Sequence, residues 1–158
     1  MSEVFHKIVA LLDSHQVRYQ VMEHQPVYTS EEAARVRGTP LKEGAKAMVF
    51  QADGRPVLLV VAAHRRIDTR RFKKAYGVKD LRLVGREELE DITGLAPGSV
   101  PPFGSLMGLP TYVDRSLLEN QTISFNAGSH TRSIIMACQD YVAVEGPQVG
   151  EFSSDPVG

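Results

Sequence analysis

The sequence predicts one domain of the α/β (α+β) class, a mixed β-sheet with flanking helices. Three observations predict it. The chain has 158 residues, 42% of them hydrophobic, enough for one core and ordinary for a globular domain. Segments with helical spacing alternate along the chain with short apolar runs of strand length. Asp53-Gly54 lies between two such runs, a strong hairpin signal that excludes a purely parallel, doubly wound sheet. We place the domain at residues 1–150 and expect a flexible tail at 151–158, which is rich in Gly, Pro and Ser.

The elements follow in order. Val4, Phe5, Ile8, Val9, Leu11 and Leu12 give one apolar helix face over 4–15, with Ser2 as N-cap. Residues 17–23 alternate as a strand with Val17, Tyr19 and Val21 on one side. Thr29-Ser30-Glu31-Glu32 is a capping box for a helix that ends at Gly38. Ala45–Gln51 and Pro56–Ala63 are the hairpin strands, and the apolar run from Val57 predicts burial on both faces. Asp68 caps a helix through Tyr76, closed by Gly77. Leu81–Val84 is a short strand, and 86–93 is a helix closed by Gly94. Prolines and glycines crowd Pro97–Gly104, so this segment is a loop of fixed shape. Thr111–Val113 and Thr122–Asn126 are strands, with a turn at Ala127-Gly128-Ser129. Thr131–Met136 fits either a strand or the start of a helix.

Composition excludes several classes. The 18 Lys+Arg against 19 Asp+Glu make a net charge of -1, which disfavours a strongly basic nucleic-acid binder. A single cysteine, Cys138, permits no internal disulfide and no multi-thiolate zinc site, and we read it as a small buried hydrophobe. No apolar run approaches the ~18 residues of a membrane helix. The first residues lack the features of a signal peptide, so the expected location is cytoplasmic, with no membrane partner. The five histidines form no H-x-x-x-H pair, and no metal is expected. Neither a G-x-S-x-G elbow, a P-loop nor a G-x-G-x-x-G fingerprint occurs.

Three places remain unusual. Lys46 opens a strand that is otherwise apolar; it is either a lysine snorkelling at a strand end or a fixed cation beside a substrate. The Pro/Gly loop is either a rigid connector or a frame that aims backbone N–H groups at an oxyanion. Asn126-Ala127-Gly128-Ser129-His130 is either a hairpin turn or a pocket rim.

Taken together, Gly44-Ala45-Lys46-Ala47-Met48-Val49-Phe50, the loop from Gly94 to Gly104 and Phe125-Asn126-Ala127-Gly128-Ser129 resemble the YbaK/prolyl-tRNA-synthetase-associated domain family. The resemblance spans nearly the whole chain, including Tyr28–Ala34. It implies a deacylase that hydrolyses the ester of a mischarged tRNA in trans, most often tRNA-Pro, with prolyl-tRNA synthetase as an expected partner. The family lysine falls on Lys46, and the family G-x-x-x-P loop falls on Gly98 and Pro102. The implied chemistry uses no cofactor. No Ser, Cys or His arrangement suggests a covalent intermediate, so direct water attack is expected, with donors from the loop around Gly98. Lys46 would position a phosphate or the carbonyl, and the substrate's own 2′-hydroxyl would assist the water. His130 is a candidate acid/base or a rim residue that only hydrogen-bonds. Tyr28, Met48, Phe50, Asn126 and Ser129 are candidates for the pocket, where selection would be steric. Arg65, Arg66, Arg70, Arg71, Lys73 and Lys74 form a basic run, either a solvated helix face or an RNA contact. Two alternatives stand beside this one: a non-catalytic tRNA- or synthetase-binding module, and a hydrolase of another small acyl ester.

Overall fold

The computed structural model describes residues 3–156. The chain runs α1 (Glu3–Ser14), β1 (Tyr19–Glu23), α2 (Ser30–Arg37), β2 (Ala45–Ala52), β3 (Arg55–Ala62), β4 (Arg66–Ile67), α3 (Thr69–Tyr76), β5 (Leu81–Leu83) and α4 (Arg86–Thr93). It continues with β6 (Thr111–Asp114), β7 (Thr122–Asn126), β8 (Arg132–Ala137), α5 (Cys138–Glu145), β9 (Gln148–Gly150) and β10 (Ser153–Ser154). The N-cap expected at Ser2 lies outside the described residues.

Five strands form the main sheet in the order β5-β2-β3-β6-β9. The hairpin β2–β3 and the pair β2–β5 are antiparallel; β3–β6 and β6–β9 are parallel. The sheet is therefore mixed, as the hairpin signal requires. A second, antiparallel sheet has the order β1-β8-β7, and a bridge between Gly44 and Ser124 joins its edge to the start of β2.

The hairpin turn explains itself. Asp53 and Gly54 have φ of 50° and 82°, the two left-handed positions of a tight two-residue turn. The central strand β3 is buried on both faces, from Val57 through Ala62. Leu58, Val60 and Ala62 enter a large core with Ile8, Leu12, Phe103, Phe125 and Tyr141. Val57, Leu59 and Val61 enter a smaller one with Phe50, Phe72 and Phe152. The period-two alternation of a strand thus divides one apolar run between two cores.

One expectation is corrected. The segment 151–156 is no flexible tail. Phe152 is fully buried, 5.3 Å edge-on to Phe72, and Ser153–Ser154 pairs with β4. One aromatic side chain in an otherwise polar stretch is enough to anchor it, because an aromatic ring buries a large apolar area. In β1, Val21 is exposed. The strand hydrogen-bonds along β8 and lends only part of its surface to the core. Thr131–Met136 resolves as strand β8, and α5 follows it, a helix the sequence reading does not identify. Its apolar residues are not confined to one stripe, so the usual period is absent.

Candidate active site

Strand β5 pairs only with Phe50–Ala52, so the first half of β2 is an open edge. A cavity of about 330 Å³ lies along that edge. Ala45, Ala47, Val49, Val84, Leu89 and Val100 line it from the large core. Helix α2 closes another side with Ser30, Ala33, Ala34 and Arg37, the i, i+3, i+4, i+7 stripe of one helix face. Its capping box is formed: Thr29 Oγ1 accepts from the Glu32 amide, and Glu32 Oε1 accepts from the Thr29 amide. The helix start beside the cavity is fixed by those two bonds.

Lys46 is half-buried on the cavity wall, and its Nζ donates to the Arg65 carbonyl at 2.8 Å. Burial lowers its pKa from the ordinary lysine value, and Glu31 opposes that shift. An ammonium has three donors, so this single bond leaves two for a ligand. Met48 borders the same cavity. Phe50, two residues on, does not. It is covered by β5, opposite Leu83, and packs in the smaller core.

The Pro/Gly loop and the 126–130 turn meet at the cavity mouth. The Ser99 amide donates to the Ala96 carbonyl, and Gly98 has φ +85°; with Pro97 before it, this is a type II turn. Three carbonyls in a row are then held. His130 Nε2 bonds the Pro97 carbonyl at 2.9 Å. Asn126 Nδ2 donates to the Gly98 carbonyl at 2.7 Å. The Gly128 amide donates to the Ser99 carbonyl at 3.0 Å. A trans peptide sets its C=O and N–H in opposite directions. Holding the Pro97 carbonyl toward His130 therefore turns the Gly98 N–H away from His130. Among the described residues that amide has no acceptor in the chain.

His130 does not line the cavity. A carbonyl only accepts, so its Nε2 carries the proton and cannot be a base in this arrangement. Its ring also packs against Tyr28, centroids 5.0 Å apart, and Tyr28 stands 71% exposed at the cavity mouth. Pro102 is buried away from the cavity, and its carbonyl accepts from the Tyr141 hydroxyl at 2.6 Å. It anchors the far end of the loop. Ser129 also lies off the cavity, bonded to Thr131 Oγ1 at 2.9 Å. Asn126 lines the cavity beside Gly98.

The basic run divides. Arg65 bonds Ser153 and Asp155, Arg66 bonds Ser154 Oγ, and Arg71 donates to the Ser153 carbonyl at 2.6 Å. These three clasp the C-terminal strand. Arg70 and Lys74 are exposed on α3, and Lys73 is partly so.

Two wall residues are absent from the sequence reading. Thr39 lines the cavity with an unpartnered buried hydroxyl. Arg37 donates from Nε to Ser133 Oγ at 2.8 Å, from one terminal nitrogen to Ser124 Oγ at 3.1 Å, and from the other to Asn126 Oδ1 at 2.8 Å. Burial lowers its pKa to about 10, so it stays charged at neutral pH. The helical stripe that ends on Arg37 was the available signal. Among the described residues no three His, Cys, Asp or Glu side chains converge on a metal position, and no helix is long and apolar enough to cross a membrane.

The family model for the aminoacyl-tRNA editing domain matches residues 24–144. The multifunctional Ser/Thr-tRNA deacylase ProXp-y of Escherichia coli strain K12 is 30% identical over 151 residues, covering 92% of this chain and 90% of that protein. Proline–tRNA ligase of Staphylococcus aureus strain Newman is 32% identical over 76 residues, 48% of this chain and 13% of that enzyme. A crystal structure described as a candidate trans-editing enzyme for prolyl tRNA synthetase superposes with a TM-score of 0.84 at 26% identity, covering 98% of this chain and 99% of that one. The chain belongs to the aminoacyl-tRNA editing domain family.

Proposed function

We propose that this editing enzyme works in trans in the cytoplasm, removing a small non-cognate amino acid from tRNA-Pro by direct water attack without a metal. The observation that carries the reading is the convergence of Lys46, the Gly98 turn and Asn126 on one cavity. An aminoacyl ester is already activated, so positioning and oxyanion stabilisation are what the protein must supply. The Gly98 amide, turned from His130 and without an acceptor among the described residues, is the donor for the developing oxyanion. Lys46 positions the terminal phosphate or the carbonyl with its two remaining donors. The attacking water adds to the carbonyl carbon and the ester C–O bond breaks. The water's proton passes by way of the neighbouring 2′-hydroxyl to the leaving 3′-oxygen, releasing amino acid and tRNA.

Neither Ser129 nor Cys138 competes with water as a nucleophile. Ser129 is engaged with Thr131, and Cys138 is buried against the Leu117 carbonyl, with burial raising its thiol pKa. A cavity of about 330 Å³ is at the small end of ligand pockets, roughly 300–1,000 Å³. That favours a small aminoacyl group. His130 and Pro102 act as supports of the loop, and Tyr28 and Met48 border the substrate. Arg70, Lys73 and Lys74 are the part of the basic run that contacts tRNA phosphates, and a prolyl-tRNA synthetase would add binding.

A second substrate reading has its own support: the relative named as a Ser/Thr-tRNA deacylase, together with Thr39's unpartnered hydroxyl on the wall. It assigns the enzyme to hydroxyl-bearing amino acids on their own tRNAs. One experiment tests both. tRNA-Pro carrying Ala, Cys, Ser, Thr or Pro, and tRNA-Ser and tRNA-Thr carrying their own amino acids, are incubated with wild type and Lys46→Ala. Turnover of a non-cognate tRNA-Pro ester that is lost in Lys46→Ala is the expected result. Turnover only of Ser- and Thr-tRNA selects the second reading. tRNA binding without turnover would leave a binding module, and hydrolysis of small acyl esters without RNA binding would leave a different esterase.

A further inference from the structure

Arg37 presents a charge in a place where a charge is costly. Its guanidinium is part of the cavity wall, and the three oxygens it bonds, on Ser133, Ser124 and Asn126, are all neutral. Among the described residues no carboxylate forms an ion pair with it. Removing an ion from water without a counter-charge is unfavourable, and neutral donors would satisfy three neutral oxygens. The chain nevertheless keeps an arginine there.

The Asn126 amide shows what the arginine does. An asparagine side chain is a donor at one end and an acceptor at the other, and it can turn over. Arg37 donates to Oδ1, which leaves Nδ2 as the end that donates to the Gly98 carbonyl. A reversed amide would set Nδ2 against a guanidinium N–H and Oδ1 against a carbonyl oxygen, two repulsive contacts. The charge also polarises the amide, so the bond to Gly98 is stronger than a neutral donor would make it. His24 Nε2 lies 2.8 Å from Ser133 Oγ and holds the outer end of the same network. Helix α2 and the loop at Gly98, 61 residues apart in sequence, are joined through one asparagine.

We infer that Arg37 is a positioning residue for the hydrolysis: it fixes the orientation of the Asn126 amide and thereby holds the Gly98 turn in its working form. The inference rests on the deacylase reading above and deepens it. Arg37 acts through Asn126 and Gly98, and its effect falls on kcat. A lysine cannot replace it, because a single ammonium lacks the planar fork that reaches all three oxygens.

The test is a double-mutant cycle with Arg37→Gln, Asn126→Ala and the double variant, on whichever charged tRNA the wild type turns over. Each single change is expected to lower kcat roughly 10- to 100-fold, with KM within about two-fold. The double variant is expected to be no more than about two-fold worse than the poorer single. Losses that multiply, or a loss confined to KM, would overturn the inference, since Arg37 would then act on the substrate directly. Arg37→Lys guards against a folding defect: it keeps the charge and is expected to lose kcat like Arg37→Gln. Full activity in Arg37→Lys would also overturn it. Amide hydrogen exchange gives a readout without catalysis. Exchange at Ser99 and Gly128, whose amides close the loop, is expected to quicken in Arg37→Gln and Asn126→Ala alike. Unchanged exchange in Arg37→Gln sinks the linkage whether or not any ester is hydrolysed, and absence of wild-type turnover sinks the deacylase reading instead.

Discussion

On the side of the main sheet closed by α3, Arg65 and Arg71 meet Ser153 and Asp155, and an aromatic cluster of Phe72, Tyr112 and Phe152 lies beneath them. At the open edge of β2, among the described residues, Arg37 meets only neutral oxygens, the Gly98 amide meets no acceptor, and Lys46 meets one carbonyl. The first region satisfies its polar groups internally and gains stability. The second leaves donors over, and leftover donors beside a cavity are what a carbonyl or phosphate substrate needs. The contrast teaches that positive charge alone does not mark a binding surface. What the charge already touches decides.

The widest separation between the two regions should come from Phe152→Ala. It removes a fully buried ring and is expected to cost about 3–5 kcal/mol in denaturant unfolding, while the residual folded enzyme keeps its turnover. Loss of activity without loss of stability would erase the division. Lys46→Ala should do the reverse, lowering deacylation roughly 10²–10³-fold with little change in unfolding midpoint.

Asp114→Asn sharpens the structural side. Burial pushes the Asp114 carboxyl up, but bonds from Ser116, Phe152 and Ser153 outweigh it and hold the pKa below the ordinary value. A depressed carboxyl pKa adds stability above its unfolded pKa, and that stability is lost as pH falls through the folded one. The variant is expected to be less stable by about 1–3 kcal/mol at neutral pH, with a shallower loss on acidification below the carboxylate range. The smallest effect concerns RNA. Arg70→Ala with Lys74→Ala should weaken tRNA binding and reduce its salt slope by about one for each phosphate left without its cation. Arg65→Ala with Arg71→Ala should lower stability more than affinity. The opposite pattern would move the RNA contact onto the clasp.

Much of the frame is legible in the sequence because it rests on local rules. The capping box at Thr29 and Glu32, the Asp53-Gly54 turn and the helix closed by Gly77 each involve residues a few positions apart. The burial of Val57–Ala62 follows from an apolar run longer than one face of a strand needs. Lys46 and Gly98 are legible as oddities in their own segments. Phe50 is not, because nearness in sequence to Lys46 says nothing about which strand covers it, and β5 covers it. Arg37 is inconspicuous because an arginine in the last turn of a helix ordinarily faces solvent and the helix dipole.

The sequence by itself determined the mixed sheet, its hairpin and the loop of fixed shape, since propensity, capping and alternation act over a few residues. It also carried the three segments on which the family resemblance rests. Only the tertiary structure decided which charges are occupied. The clasp of Arg65 and Arg71 on Ser153 spans more than 80 residues, and so does the reach of Arg37 to Ser124, Asn126 and Ser133. Whether a cation ends as a strut or as part of a site depends on which oxygen the folded chain brings within about 3 Å of it, and spacing along the sequence does not specify that distance.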